Sequence, residues 1–215
     1  AADLAGEGLR GVRVVGRGGD ASLFDPARRS TGLRAAWGVE GEGPACLYVG
    51  RMAAEKNLAL VEKSFAAIQV WHPKAKMIWV GDGPSAKQLA GDHPDHHFAG
   101  MRIGEDLATH YASADLFLFP SLTETYGNVV AEAMASGLPV LAYRSAAAAE
   151  LIIDGENGRL VAPGDEDGYK RAALDLVSDL ENLPRLGRAA RGSMLPHHWA
   201  VVVERFETVM REAMA

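Results

Sequence analysis

The sequence predicts an α/β fold built on a doubly wound parallel sheet of Rossmann-like organisation. Three observations predict it. Short runs rich in β-branched and aromatic residues alternate with segments of helical period, most of the runs end at Gly or Pro, and clusters of polar and charged residues fall on the loops that leave them. Ligands in such sheets bind beyond the carboxyl ends of the strands, so the chemistry is expected on those loops.

Taken in order, strands are expected at residues 12–16, 45–50, 76–81, 96–100, 115–120, 138–143 and 159–162. Helices are expected at 57–72, 84–91, 104–114, 127–136, 147–153, 165–179, 183–192 and 198–213. Within 57–72, Leu58, Val61, Phe65 and Ile68 recur every three or four residues and give one apolar face. Pro84 is placed to be a first helical residue, where its missing N–H costs nothing. The alanine run 146–149 suits a first helical turn, because alanine has the best helix propensity. Segment 17–37, RGGDASLFDPARRSTGLRAAW, breaks the rhythm with a Gly-rich turn, an Asp-Pro and a basic helix-like piece, and reads as a connector. The chain therefore divides into a connector with a first strand at 1–37, a ligand-binding domain at 38–197 and a C-terminal helix at 198–215.

Composition narrows the function. With 215 residues, 48% of them hydrophobic, the chain can bury one sizeable core. No apolar stretch reaches the roughly 20 residues that a membrane span needs, and the N-terminus lacks a charged-then-apolar signal pattern, so a cytoplasmic location is expected. A formal net charge of −6 argues against general nucleic-acid binding, which requires a basic surface. The single cysteine, Cys46, lies in the apolar run ACLYVG and is expected to be a buried strand thiol rather than a nucleophile.

Four loops carry candidate chemistry. GRMAAEKN, residues 50–57, follows a strand and offers Arg51 and Lys56, whose cations can converge on a diphosphate; two solvated surface charges are the plainer alternative. WVGDGPS, residues 79–85, has glycines at Gly81 and Gly83 that suit a tight turn. With Ala86 they also form a loose GxGxxA, the basis of a rival reading as a dinucleotide-binding oxidoreductase module. FAGMRIGEDL, residues 98–107, exposes Met101, Arg102 and Ile103 on a loop that can meet the edge of a nucleobase, with Arg102 as a lid, or be an ordinary βα loop. The fourth, PSLTETYGNVVAEAMASGLPVLA at 120–142, gathers Ser121, Thr123, Glu124, Thr125, Tyr126, Gly127 and Asn128 before a helix that carries Glu132 in its second turn. Backbone N–H groups at that helix start can hold an anion, and two carboxylates can each accept hydrogen bonds from sugar hydroxyls.

Other features carry less. Asp165-Glu166-Asp167 mimics a metal-binding Asp-x-Asp but follows Pro163-Gly164 and opens a helix, where acids favour the dipole and serve as caps. His93, His96, His97, His197 and His198 lack cysteine partners or a repeated i, i+4 pair, which argues against a zinc site.

The chain resembles the C-terminal, donor-binding half of GT-B-fold glycosyltransferases of the retaining kind called family 4 or group 1. The resemblance runs in order through GRGGDASLFDP, YVGRMAAEKN, WVGDGP, FAG, ADLFLFPSLTETYGNVVAEAMASGLPVLA and ENGRLVAPGD. It implies that 38–197 is a nucleotide-sugar-binding domain, that Arg51 and Lys56 bind the donor diphosphate, and that Glu124 contacts donor-sugar hydroxyls and Glu132 the ribose. Arg51, Lys56 and Glu124 would then serve transfer itself, with Gly50, Gly81, Met101, Arg102, Ile103, Thr125, Tyr126, Gly127, Asn128 and Glu132 binding donor. No metal and no cofactor are implied. The partners implied are a UDP- or GDP-sugar donor and an N-terminal acceptor-binding domain, across which the final helix packs and through which peripheral membrane association can arise. Two departures stand out: YRSAAAAELI where relatives carry a Gly-Gly-containing loop, and GRGGD in place of GVD. The Asn-Val-Val and YRSAAAAE details are similar to bacterial mannosyl- or sulfoquinovosyl-type transferases. A non-catalytic sugar-nucleotide-sensing domain is the other alternative.

Overall fold

The computed structural model describes residues 19–39, 41, 43–124 and 128–214; the strand expected at 12–16 lies outside them. Six parallel strands form one sheet: β1 Ala45–Val49, β2 Lys76–Val80, β3 His97–Gly100, β4 Leu116–Phe119, β5 Val140–Tyr143 and β6 Gly158–Val161, in the order β3-β2-β1-β4-β5-β6. This is the doubly wound order expected of the sequence, and its connections reverse direction between β1 and β4. The helices are α1 Thr31–Ala36, α2 Leu58–Trp71, α3 Ala86–Asp92, α4 Gly104–Ser113, α5 Asn128–Ala135, α6 Ala146–Leu151, α7 Glu166–Ser178, α8 Leu183–Met194 and α9 Trp199–Met214. One expected helix start is corrected. Pro84 lies in the turn before α3, because the Ser85 N–H donates across to the Met52 carbonyl at 3.0 Å and ties that turn to the neighbouring loop.

β1 and β4 are buried along their whole length, as strands covered on both faces must be, and their near-continuous apolar sequences follow from that. Phe65 and Ile68 of α2 are fully buried, and α2 packs against α7 on one face of the sheet. On the other face α5 packs against α4 and α8. Tyr169 of α7 donates its hydroxyl to the Leu141 carbonyl at 2.8 Å, which locks α7 to β5. Asp165 caps α7 by accepting from the Gly168 N–H at 2.8 Å, the structural role expected of the acidic triplet. Cys46 is fully buried, and burial, with Asp115 nearby, pushes its thiol far up, so it is no nucleophile.

Segment 20–37 packs into the same core. Phe24 is buried edge-on against Tyr111 at 5.7 Å, and Trp37 is buried too. Charge fixes it in place: Asp115, at the foot of β4, accepts from Arg29 at 2.6 Å, from Arg34 at 2.9 Å and from the Ala45 N–H at 2.8 Å. That carboxylate joins the connector to the entrances of β1 and β4. Gly19 meets the other end of the chain, donating to the His197 carbonyl at 2.8 Å where α9 begins. Along α9, Trp199, Val203, Phe206, Met210 and Met214 stand exposed at helical spacing, forming an apolar stripe.

Removing the shared carboxylate takes the charged acceptor from Arg34, 17% exposed, and from the more open Arg29, and leaves the Ala45 N–H unpaired. Asp115→Ala is expected to lower the unfolding free energy by about 3 kcal/mol, measured by urea denaturation. A loss of a few tenths would mean that the connector is held by its other contacts without the shared carboxylate.

Candidate functional site

The crevice between the carboxyl ends of β1 and β4 is the switch point of this sheet. The loop after β1 enters a single 3-10 turn, Ala54–Lys56, and then Asn57 in the left-handed region at φ 55°, which asparagine tolerates. Lys56 at the end of that turn reaches across the crevice: its Nζ donates to Glu124 Oε1 at 2.6 Å and to the Thr123 carbonyl at 3.2 Å. Thr123 Oγ1 returns a hydrogen bond to the Glu55 carbonyl at 3.2 Å. The Lys56 and Glu124 side chains are only 17% and 16% exposed, so the pair is far less screened than a surface salt bridge. Lys56 keeps a third donor and Glu124 a second oxygen.

Arg51 lies on the same loop, 67% exposed, with Glu55 as its ion-pair partner at 3.7 Å. Its backbone carbonyl accepts from the buried Tyr48 hydroxyl at 3.1 Å, which anchors the loop while the guanidinium remains outside. Glu132, one helical turn inside α5, accepts from Tyr111 at 3.0 Å. Burial raises the Glu132 pKa and the Tyr111 hydrogen bond offsets part of the rise. Beside Glu124, a small cleft is lined by Ser121, Tyr143 and Ser145. The hydroxyls of Ser121 and Tyr143 are buried without a hydrogen-bond partner among the described residues. Buried polar atoms without partners carry a penalty that a ligand can relieve. Tyr143 opens the YRSAAAAELI segment whose departure from relatives is expected to reshape the pocket.

Other expected residues are placed differently from one another. Thr125, Tyr126 and Gly127 lie outside the described residues, and Asn128 opens α5. Arg102 folds back, donating to the Ala99 carbonyl and to Asp106, both at 2.9 Å, so it stands as a strut of its own loop where a lid was expected. Met101 and Ile103 project into solvent at the far end of the same sheet edge. A Cβ on Gly81, at φ 128°, would lie 2.0 Å from the Gly50 carbonyl oxygen. These glycines therefore permit close approach of two loops. They also follow β2, not the first βα turn of the sheet, which removes the basis for a dinucleotide fingerprint. Ala146, in the segment where a Gly-Gly-containing loop was expected, takes φ 45°, a conformation costing a non-glycine residue roughly 1 kcal/mol or more.

The histidines converge more than their spacing suggested: one ligand atom from each of His93, Asp95 and His96 lies within 4.8 Å of the others. The rings of His93 and His96 stack at 4.5 Å with planes only 5° apart, and His96 Nδ1 accepts from the Trp79 indole at 3.2 Å. A metal bound in both ring planes would require one ring to turn, and Trp79 holds His96 in the wrong tautomer for it.

The switch-point fold and its ion-paired crevice define a GT-B-type α/β domain. The group 1 glycosyl transferase family model matches residues 43–179, and the chain belongs to that family. It is 35% identical over 177 residues to a GDP-mannose-dependent alpha-mannosyltransferase of Corynebacterium glutamicum, covering 82% of this chain and 42% of that protein. It is 34% identical over 194 residues to a sulfoquinovosyl transferase of Arabidopsis thaliana, covering 87% of this chain and 37% of that protein. The chain thus spans about half or less of the curated relatives it matches. Among solved structures, sucrose-phosphate synthase from Thermosynechococcus elongatus superposes with a TM-score of 0.79 at 24% identity, over 94% of this chain and 52% of that one. Anabaena HepE in complex with UDP-glucose superposes with a TM-score of 0.78 at 23% identity, over 93% and 57%. These likenesses show the fold.

Two outcomes follow from the titrating groups. Burial, then the neighbouring His93, lowers His96 from its ordinary value to about 4. Stability present above pH 6.5, the ordinary histidine value, should therefore be lost as pH falls toward 4. His96→Gln, able to accept from Trp79, should flatten that part of the melting-temperature profile. Glu132 has the opposite shift: its folded pKa is raised, so ionisation costs stability once pH passes the ordinary carboxylate range. Glu132→Gln is expected to raise the ligand-free Tm at pH 7 by about 2–4 °C, with the gain vanishing in acid. A lower Tm at pH 7 would show that the charged form is the better fit.

Proposed function

We propose that this chain is the donor-binding half of a retaining glycosyltransferase that takes a nucleoside-diphosphate sugar, UDP- or GDP-linked, and works with an N-terminal acceptor-binding domain. The observation that supports it best is the half-buried Lys56–Glu124 pair spanning the switch point, with Arg51 on the same loop and Glu132 on the helix beside it. A cation and a carboxylate fixed side by side suit a ligand that carries a diphosphate at one point and hydroxyls at the next.

On this reading, Lys56 and the exposed Arg51 take the diphosphate. Glu124 uses its free oxygen on a donor-sugar hydroxyl while Lys56 holds the other, and Glu132 receives the ribose hydroxyls. Ser121 and Tyr143 supply further polar contacts in the small cleft. Met101 and Ile103 flank the base from the loop after β3, three strand spacings or about 14 Å along the edge from β4. Transfer breaks the bond between the anomeric carbon and the diphosphate oxygen, and the electron pair leaves with the diphosphate. The acceptor hydroxyl oxygen bonds the same carbon from the face just vacated, and its proton passes to the departing diphosphate. Arg51 and Lys56 stabilise the charge that grows there, and Glu124 orients the sugar. Retention itself rests on the family resemblance.

The apolar stripe of α9 and the meeting of Gly19 with His197 support the domain division. The connector at Gly19 meets the end of the 38–197 domain at His197, and the exposed face of α9 suits packing across a cleft onto a second domain. None of the described helices is long and apolar enough to cross a membrane.

A thermal-shift panel of UDP, GDP, ADP, their sugars and NAD tests the ligand class, since a ligand selective for the folded state raises its Tm. One nucleoside-diphosphate sugar is expected to stabilise the chain, with no effect of NAD; stabilisation by NAD alone would overturn the proposal. Lys56→Ala and Arg51→Ala should weaken nucleoside-diphosphate binding far more than nucleoside binding. Glu132→Ala should weaken nucleotide binding roughly ten- to a hundred-fold, the loss of one charge-assisted hydrogen bond. Unchanged affinity in Glu132→Ala would remove its ribose role.

A further inference from the structure

A second cavity lies away from the donor edge. About 530 Å³ in volume, it opens at the opposite, amino ends of β1, β4 and β5, between the connector, the end of α5 and the start of α8. That volume falls in the range of small-molecule sites. Four arginines line it: Arg29, Arg34, Arg188 and Arg191. Asp115 answers Arg29 and Arg34, and Asp25 answers Arg191. Among the described lining residues, four arginines face one carboxylate, Asp115.

The donors are unequally used. Arg191 is spent on the Ala21, Phe24 and Ala135 carbonyls and on Asp25. Arg34 bonds the Ser113 carbonyl and Asp115 through Nη1 only, which leaves Nε and Nη2. Arg188 has no ion-pair partner among the described residues and is exposed on the rim. The amino end of α8, Leu183 and Pro184, also lines the cavity and adds the positive end of a helix dipole. Independently, Ser136 lines the same wall at 3% exposure, and its hydroxyl is buried without a hydrogen-bond partner among the described residues. Leu180 and Pro139 supply apolar walls.

We propose that this cavity is a second ligand site, for a small organic phosphomonoester. The phosphate, close to a dianion at neutral pH, suits a lining in which arginines outnumber carboxylates and is held by Arg188, Arg34 and the Ser136 hydroxyl. Its body lies against Leu180, Leu183 and Pro139. The site stands on the edge of the sheet away from Lys56 and Glu124 and does not depend on the donor reading.

Phenyl phosphate is the probe, measured by isothermal titration calorimetry on the intact chain. One saturable site with a Kd below about 1 mM is expected, with inorganic phosphate and phenol each binding more weakly. Arg188→Ala should weaken phenyl phosphate about tenfold, and Ser136→Ala should weaken it while leaving the ligand-free Tm unchanged or higher, because an unpaired buried hydroxyl is gone. Lys56→Ala and saturating UDP or GDP should leave it unaffected. No saturation up to about 10 mM, an unchanged affinity in Arg188→Ala, or competition by UDP or GDP would each overturn the proposal. Donor binding to the same variants is read separately, so the two sites fail or stand independently.

Discussion

A single ion pair organises the functional edge of this domain. Lys56 and Glu124 belong to loops that leave β1 and β4, neighbours in the sheet but separated by 68 positions in the chain. Their contact at 2.6 Å, with the return bond from Thr123 to Glu55, stitches the two walls of the switch-point crevice together. Neither side chain is saturated by the other. Holding half-buried opposite charges together while leaving one donor and one acceptor unspent keeps the edge stable without ligand and competent to bind one.

The same division recurs around that pair. Glu132 is held by Tyr111 in surroundings that oppose its charge, and Ser121 and Tyr143 keep buried hydroxyls without partners among the described residues. Ala146 holds a backbone conformation that side chains disfavour. Each is a local cost, and each lies at a strand's carboxyl end or in the loop or helix that follows it, whereas the amino side is braced by the Asp115, Arg29 and Arg34 network. Local costs of this kind gather where functional sites commonly require them.

The described strands were legible because each is a short apolar run ended by Gly, Pro or a polar loop, and burial on both faces leaves little else that such a run can be. The crevice residues were legible as residue types clustered on βα loops. Their partners were not. Arg29 and Arg34 read as a basic connector, and only the fold brings them to Asp115, 86 and 81 positions away. Arg102 looked free to cover a ligand, yet its acceptors are the strand before its loop and the helix after it. Gly81 read as a tight turn needing a glycine, and the loop it clears, at Gly50, is set by the fold. The stacking of His93 on His96 depends on the turn that brings His93 back against the ring held by Trp79, which spacing along the chain does not show.

The most direct test of the account is a crystal structure of the chain with a bound nucleoside diphosphate. The account predicts the diphosphate at the β1–β4 crevice, within hydrogen-bond reach of Lys56 and Arg51, with the ribose on Glu132. A diphosphate seated elsewhere, the arginine-lined cavity at the amino ends of the strands included, would contradict it.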